Sequence, residues 1–562
     1  MHDLVIRDGT IVDGTGASRR VASVAVDGAR IVAVGDDVGA GRREIDAQGL
    51  LVTPGFVDVH THYDGQATWD PYLTPSSWHG VTTAIFGNCG VGFAPVRRGA
   101  APYLINLMEG VEDIPGSVLA EGVSFEWESF PEYMAALAAQ PKAVDIGAQV
   151  PHAALRFYVM GERGADHATA PSDDEIAHMA ELLEQSLRAG ALGFTTSRTT
   201  KHRAKDGRPT PSLTAGEREL LGLAGAMKRA GRGVIEVNSD FGPDEFEALR
   251  AAAEVSGRPL SVLLLQVNNA PDLWRDTRAR IHAARKAGLS VNGQVGCRPI
   301  GVMMGLETTI HPFSTHPAWT ALLPLTPAER VARLQREPQL RRTLVEQRPD
   351  DEQTRLMETW LPRTYVVDES YDYEPDPATS LAASAQASGG NPWALALEAV
   401  LASGGKGLLT HTFENYSEGN LDIVRELLTD DATIMGLGDG GAHVCTICDA
   451  SGPTFLLTHW ARDRKRGPGL PLELLVRKQT RDCAFAYGLT DRGILATGYK
   501  ADINVIDFER LALAPAQLVY DLPAGGKRFI QRARGYRHTF VSGQETIRDD
   551  EHTGALPGTL LR

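Results

Sequence analysis

Ser172-Asp173-Asp174-Glu175, then Ile176, Met179, Leu183 and Leu187, then Gly190, then Ala191-Leu192-Gly193-Phe194-Thr195-Thr196-Ser197 is the stretch that decides the fold. Ser172 and Glu175 have the spacing of a capping box, in which each side chain accepts from the other's free amide. The four apolar residues recur at helical spacing, and Gly190 is placed to end the helix. The apolar run after it reads as a buried strand. The same unit recurs downstream. Gly233 to Asn238 is a strand, Pro243 to Ser256 a helix, Pro259 to Gln266 a strand, Trp274 to Ala287 a helix and Leu289 to Val295 a strand. Repeated βα units of this size predict a parallel sheet, and their number favours a barrel over an open sheet.

Outward from this middle, both ends turn to β structure. Leu4-Val5-Ile6 and Thr10-Ile11-Val12 flank Asp8-Gly9, and Ala22 to Val26 and Arg30 to Val34 flank Asp27-Gly28, so the spacing predicts two hairpins. Ala501 to Asp507 and Thr539 to Gly543 continue the same style at the other end. The expected organisation is an α/β chain with a β domain in two parts, residues 1–53 and 491–562, around a barrel over 54–490. Residues from about 300 to 400, rich in Arg, Glu and Pro, break the rhythm and read as an insertion on the barrel.

Composition bounds the partners. The chain has 562 residues, with 43% hydrophobic, 23% charged and a formal net charge of −15. That charge argues against nucleic acid and against an anionic membrane as partners. No window reaches the roughly 18 apolar residues of a membrane span. The N-terminus, Met1 to Asp8, lacks the pattern of a signal peptide, so a cytoplasmic protein is expected. Five scattered cysteines do not form a disulfide framework, and Cys445-x-x-Cys448 has no redox-like setting. Composition leaves a homo-oligomer open.

Chemistry concentrates in Thr53-Pro54-Gly55-Phe56-Val57-Asp58-Val59-His60-Thr61-His62. Residues two apart on a strand face one side, so His60 and His62 can offer both imidazoles to one divalent ion. Thr433 to Gly438 is a second apolar run, ending in Asp439-Gly440-Gly441-Ala442-His443. A carboxylate at a strand end between glycines can reach into a site; the alternative is an Asp-Gly turn. His411, in the strand-like Leu408 to Phe413, and His443 are either substrate contacts or structural histidines. Arg198 and Arg298 are candidates to hold a substrate carboxylate, or else ordinary ion-pair formers.

The chain resembles the amidohydrolase superfamily, and within it the N-acyl-D-amino-acid deacylase (D-aminoacylase) branch. Residues 53–62, Gly80 to Gly90, and Gly493 to Ile503 carry the resemblance. It implies a distorted TIM barrel plus a β-sandwich, with the site at the C-terminal ends of the strands. It also implies that Cys89 sits where the branch has a metal-ligating cysteine, and that Asp439 binds the metal and handles the proton. Without the resemblance, Cys89 is equally a small buried residue. The branch has ligating histidines at the fifth and sixth strands. Here Asn238, and Gln266 or Asn268, fall near those places, and the fourth strand has no lysine, Lys201 lying beyond it. One ion, zinc, on His60, His62, Asp439 and Cys89 is therefore expected rather than two. The expected reaction is hydrolysis of a small-molecule amide, an N-acyl-D-amino acid or similar. A cyclic amide or imide hydrolase and a catalytically silent scaffold are the alternatives.

Overall fold

The computed structural model describes residues 1–368 and 371–562. Two parallel sheets make the barrel wall. The first strand, Phe56–Asp58, pairs with the second, Val81–Phe86, which pairs with Asp145–Ala148. The third strand breaks at Gln149 and resumes as Val150–Pro151. From there a six-stranded parallel sheet runs through Gly193–Arg198, Val234–Ser239, Leu260–Leu263, Val291–Val295 and Thr433–Met435. Counting the broken strand once gives eight staves among the described residues, the number of a (β/α)8 barrel. The eighth and first strands meet just past their ends. The Asp439 amide donates to the His60 carbonyl at 3.0 Å, and the His62 amide donates to the Gly440 carbonyl at 2.7 Å. This seam sets the two halves of the candidate site side by side.

Local signals explain the helices around the barrel. Ser172 Oγ accepts from the Glu175 amide at 3.2 Å, and Glu175 Oε2 accepts from the Ser172 amide at 2.8 Å. The helix Asp173–Ala189 buries Ile176, Met179, Leu183 and Leu187 against the wall. Each such side chain contributes about 1.5–3 kcal/mol relative to exposure.

The two chain ends share one nine-stranded sheet. Leu51–Pro54 pairs antiparallel with Ile503–Ile506 on one side and parallel with His2–Ile11 on the other. The hairpin around Asp27-Gly28 forms as expected, Arg20–Asp27 against Arg30–Gly35. The one around Asp8-Gly9 does not. His2–Ile11 is a single strand, and its register against Arg20–Asp27 shifts between Ile6 and Gly9. Asp8 takes a left-handed φ of 54° and makes a β-bulge rather than a turn. Gly55 joins sheet to barrel where a Cβ would lie 2.2 Å from Thr82 Oγ1, so only glycine fits.

The insertion is longer than the composition suggests. It begins with the strand Ile300–Met304 and returns through Leu408–Glu414, which lies between Ile300–Met304 and Thr364–Val367 in an antiparallel sheet. It carries its own core, including Phe313, Trp319, Leu334 and Trp393. No helix among the described residues is long and apolar enough to cross a membrane.

Candidate metal centre

His60 and His62 stand just beyond the first strand, both buried, with ring centroids 5.3 Å apart. Their Nε2 atoms each lie 3.6 Å from Asp439 Oδ1. Cys89 Sγ lies 3.4 Å from His60 Nε2. His60, His62 and Cys89 offer donor atoms within 4.8 Å of one another. The structure thus brings together two imidazoles from the first strand, a thiol from the second and a carboxylate from the eighth. A second group, His282 with Asp430 and Asp431, lies at the surface, where Asp430 already pairs with Arg278 and His282.

The backbone is bent to build this cluster. Cys89 has φ 54°, and Leu437, Asp439 and His443 have φ 56°, 47° and 48°. Left-handed non-glycine residues are uncommon and cluster at functional sites. Gly438 threads between them, where a Cβ would fall 2.0 Å from Asp58 Oδ2.

Surrounding groups fix which nitrogen faces inward. Gln294 Nε2 donates to Ser261 Oγ at 3.0 Å and to Tyr487 Oη at 3.2 Å, so its Oε1 faces His60 Nδ1 at 2.8 Å. Nδ1 of His60 therefore carries the hydrogen, and Nε2 presents its lone pair to Cys89 and Asp439. Glu112 Oε1 stands 3.3 Å from His62 Nδ1, and Glu112 Oε2 stands 3.5 Å from His443 Nε2. Glu236, on the fifth strand, accepts from the Cys89 amide at 3.1 Å. Asn238 Nδ2 donates to Cys89 Sγ at 3.6 Å and to His202 Nε2 at 3.3 Å.

Burial holds His60 down to about 4 and His62 to about 3, so both imidazoles are neutral at pH 7. Burial, with Asp439, Asp64 and Glu236 nearby, pushes the Glu112 carboxyl well above its ordinary range. Burial pushes Glu236 up to about 8, with Asp439 adding to it. Burial and then Glu236, Glu112 and Asp439 raise the Cys89 thiol. Neutral nitrogens, a sulfur and a surplus of buried acid are a donor set that a divalent cation would satisfy.

The remaining expected residues separate. His443 lies at the cluster, beside Glu112. His411 does not join it: its ring stacks on Trp360 at 4.2 Å inside the insertion sheet. Arg198 pairs with Glu245 and donates to the Ala215 carbonyl at 2.6 Å. Arg298 donates to the Cys448 carbonyl at 2.6 Å and lies over the Tyr373 ring at 4.2 Å. Gln266 and Asn268 tether the insertion: Gln266 Oε1 accepts from the Ser417 amide, and Asn268 Nδ2 donates to the Phe413 carbonyl at 2.6 Å. Lys201 pairs with Glu414. The reading from sequence missed Glu112, Glu236, Gln294 and His202. No local pattern marks them; an acid inside the apolar strand Val234 to Val237 was the one available signal for Glu236. A narrow recess of about 20 Å³, lined by Gln66, Asp439, Gly441, Val444 and Arg528 among others, opens on Asp439.

A model of the amidohydrolase family matches residues 43–547. The chain belongs to that family. This amidohydrolase is 28% identical to the N-acyl-D-aspartate deacylase of Alcaligenes xylosoxydans xylosoxydans, over 100% of this chain and 95% of that protein. A solved D-aminoacylase, described by its binuclear metal centre with one-metal activation and second-metal attenuation, superposes with a TM-score of 0.66 at 25% identity, covering 100% of both chains. The N-acyl-D-glutamate deacylase of Bordetella bronchiseptica, solved with zinc and a phosphonate mimic of the tetrahedral intermediate, gives 0.65 at 25% identity over 100% of this amidohydrolase and 99% of that chain. The two solved deacylases thus share the overall fold along the whole of this chain.

Proposed function

We propose that this amidohydrolase cleaves the amide bond of an N-acyl amino acid, with D configuration, or a similar small amide, using one zinc ion held by His60, His62, Cys89 and Asp439. One observation carries the reading: Asp439 Oδ1 stands 3.6 Å from Nε2 of both His60 and His62 at the barrel mouth, with Cys89 Sγ beside His60. A divalent ion bound there supplies Lewis acidity, polarising a carbonyl and acidifying water. Asp439 accepts the proton of the attacking water and returns it to the departing nitrogen. His443, at the rim, contacts the substrate. Gln294 keeps His60 in its ligating tautomer. Cysteine and histidine donors favour zinc over harder cations, and the zinc-bound Bordetella bronchiseptica deacylase supports the choice. One ion is favoured because Asn238 donates to the sulfur and Gln266 and Asn268 serve the insertion, so neither strand adds an imidazole.

The test is metal analysis of purified protein beside a hydrolysis panel of N-acetyl-D-amino acids, their L enantiomers and hydantoins. About one zinc per chain and turnover of the D series is expected. Less than ~0.1 metal per chain with no rescue by zinc overturns the metal reading. Turnover confined to hydantoins overturns the substrate.

A further inference from the structure

Glu112 is the last residue of the helix Ala101–Glu112, and it is 1% exposed. A carboxylate at a helix C-terminus faces the negative end of the macrodipole. Asp439, Asp64 and Glu236 lie close enough to act on it, and all are acids. A placement so unfavourable for the metal-free fold calls for a return elsewhere. The side chain approaches two imidazoles, one with each oxygen: His62 Nδ1 at 3.3 Å from Oε1 and His443 Nε2 at 3.5 Å from Oε2. The first approach is close but not yet a formed hydrogen bond: among the described residues, buried His62 Nδ1 and Glu112 Oε1 have no other partner, so each is left for the other. The main chain of the same residue accepts from the His443 amide. Its neighbour Asp113 accepts from Thr446 Oγ1, past the eighth strand, and from Thr309 Oγ1 of the insertion, both at 3.1 Å. The helix end is therefore a junction between the first-strand histidines, the eighth-strand loop and the insertion.

We propose that Glu112 is a positioning residue: it holds His62 with Nε2 turned to the ligand cluster and, with its other oxygen, holds His443 at the mouth. This rests on the metal reading above. A ligating imidazole whose far nitrogen donates to a carboxylate is oriented and made more basic, and loss of such a support lowers metal affinity about 10–100-fold. The same carboxylate links that ligand to the substrate-facing histidine, so one side chain sets both.

Zinc affinity of the full-length protein, measured by competition with a chromophoric chelator, tests the assignment in Glu112→Gln and Glu112→Leu, with Asp113→Asn as control. The visible spectrum of the cobalt(II)-loaded protein and the melting temperature of the metal-free protein are read alongside. The expected result is zinc bound about tenfold more weakly in Glu112→Gln and about a hundredfold in Glu112→Leu. The cobalt bands shift, while the metal-free melting temperature holds or rises. A merely structural acid would instead lower the metal-free melting temperature. Glu112→Gln carries the test if Glu112→Leu does not fold. Affinity within twofold of the parent, or weaker binding that tracks a drop in metal-free stability, overturns the assignment. A parent protein that binds neither zinc nor cobalt overturns the metal reading and this assignment together.

Discussion

Asp439→Asn keeps the shape of the side chain and removes its charge and one acceptor. In the parent, Oδ1 stands 3.6 Å from Nε2 of both His60 and His62, so the substitution strikes the centre of the cluster and leaves its walls intact. A positioned general base and acid contributes about 10²–10⁴-fold, which is about 2.7–5.4 kcal/mol in the barrier. The metal-free fold should not suffer. The Asp439 charge raises the carboxyls of Asp58, Glu112, Glu236 and Glu414, so its removal relieves repulsion among buried acids. Two measurements separate the effects: kcat/KM on an N-acetyl-D-amino acid in zinc-supplemented buffer, and thermal unfolding with and without a chelator. The expected pair is a loss of at least a hundredfold in kcat/KM with a metal-free melting temperature equal to or above the parent's. A zinc-loaded variant retaining kcat/KM within about threefold would refute the proton-handling role.

The remaining expectations concern pH and the residues set apart from the cluster. Glu236 rises from 4.5 to about 8 on folding, so above about pH 7.5, where the lowered histidines are nearly neutral even in the unfolded chain, Glu236 makes the metal-free native state bind more protons than the unfolded chain. Its contribution to metal-free stability should therefore be lost as pH rises from about 7.5 to about 9, and Glu236→Gln should make the slope in denaturant titrations less negative there; an unchanged slope would count against it. His411→Ala removes a stack on Trp360 and should cost about 0.5–1.5 kcal/mol beyond lost area while leaving zinc content at the parental level. Arg198→Met should cost about 1.5–3 kcal/mol of stability through loss of its Glu245 and Ala215 bonds, with KM unchanged in steady-state assays.

Local chemistry made much of the fold legible. The capping box at Ser172 and Glu175, the helical spacing from Ile176 to Leu187 and the apolar strands depend on neighbours a few residues away, and all appear where expected. Long-range pairing was not legible. Asp8-Gly9 carries the letters of a turn, yet His2–Ile11 stays straight enough to pair with Arg20–Asp27, Gly41–Asp46 and Leu51–Pro54, so it bulges instead. Leu408–Glu414 reads like a barrel strand, but it is antiparallel to its neighbours, which takes His411 into the insertion.

The chain by itself singled out the two imidazoles at His60 and His62 and the carboxylate at Asp439, because alternation along one strand and a strand end flanked by glycines are both patterns of adjacent residues. Glu112 and Gln294 come from a helix end and from the seventh strand, and nothing beside them in the sequence marks their task; Glu236, on the fifth strand, shows only as an acid in an apolar run. Only closure of the barrel sets a helix-end acid 3.3 Å from His62 and a seventh-strand amide 2.8 Å from His60. A ligand's identity is local to the chain, whereas its orientation and tautomer are set by whatever the fold packs behind it.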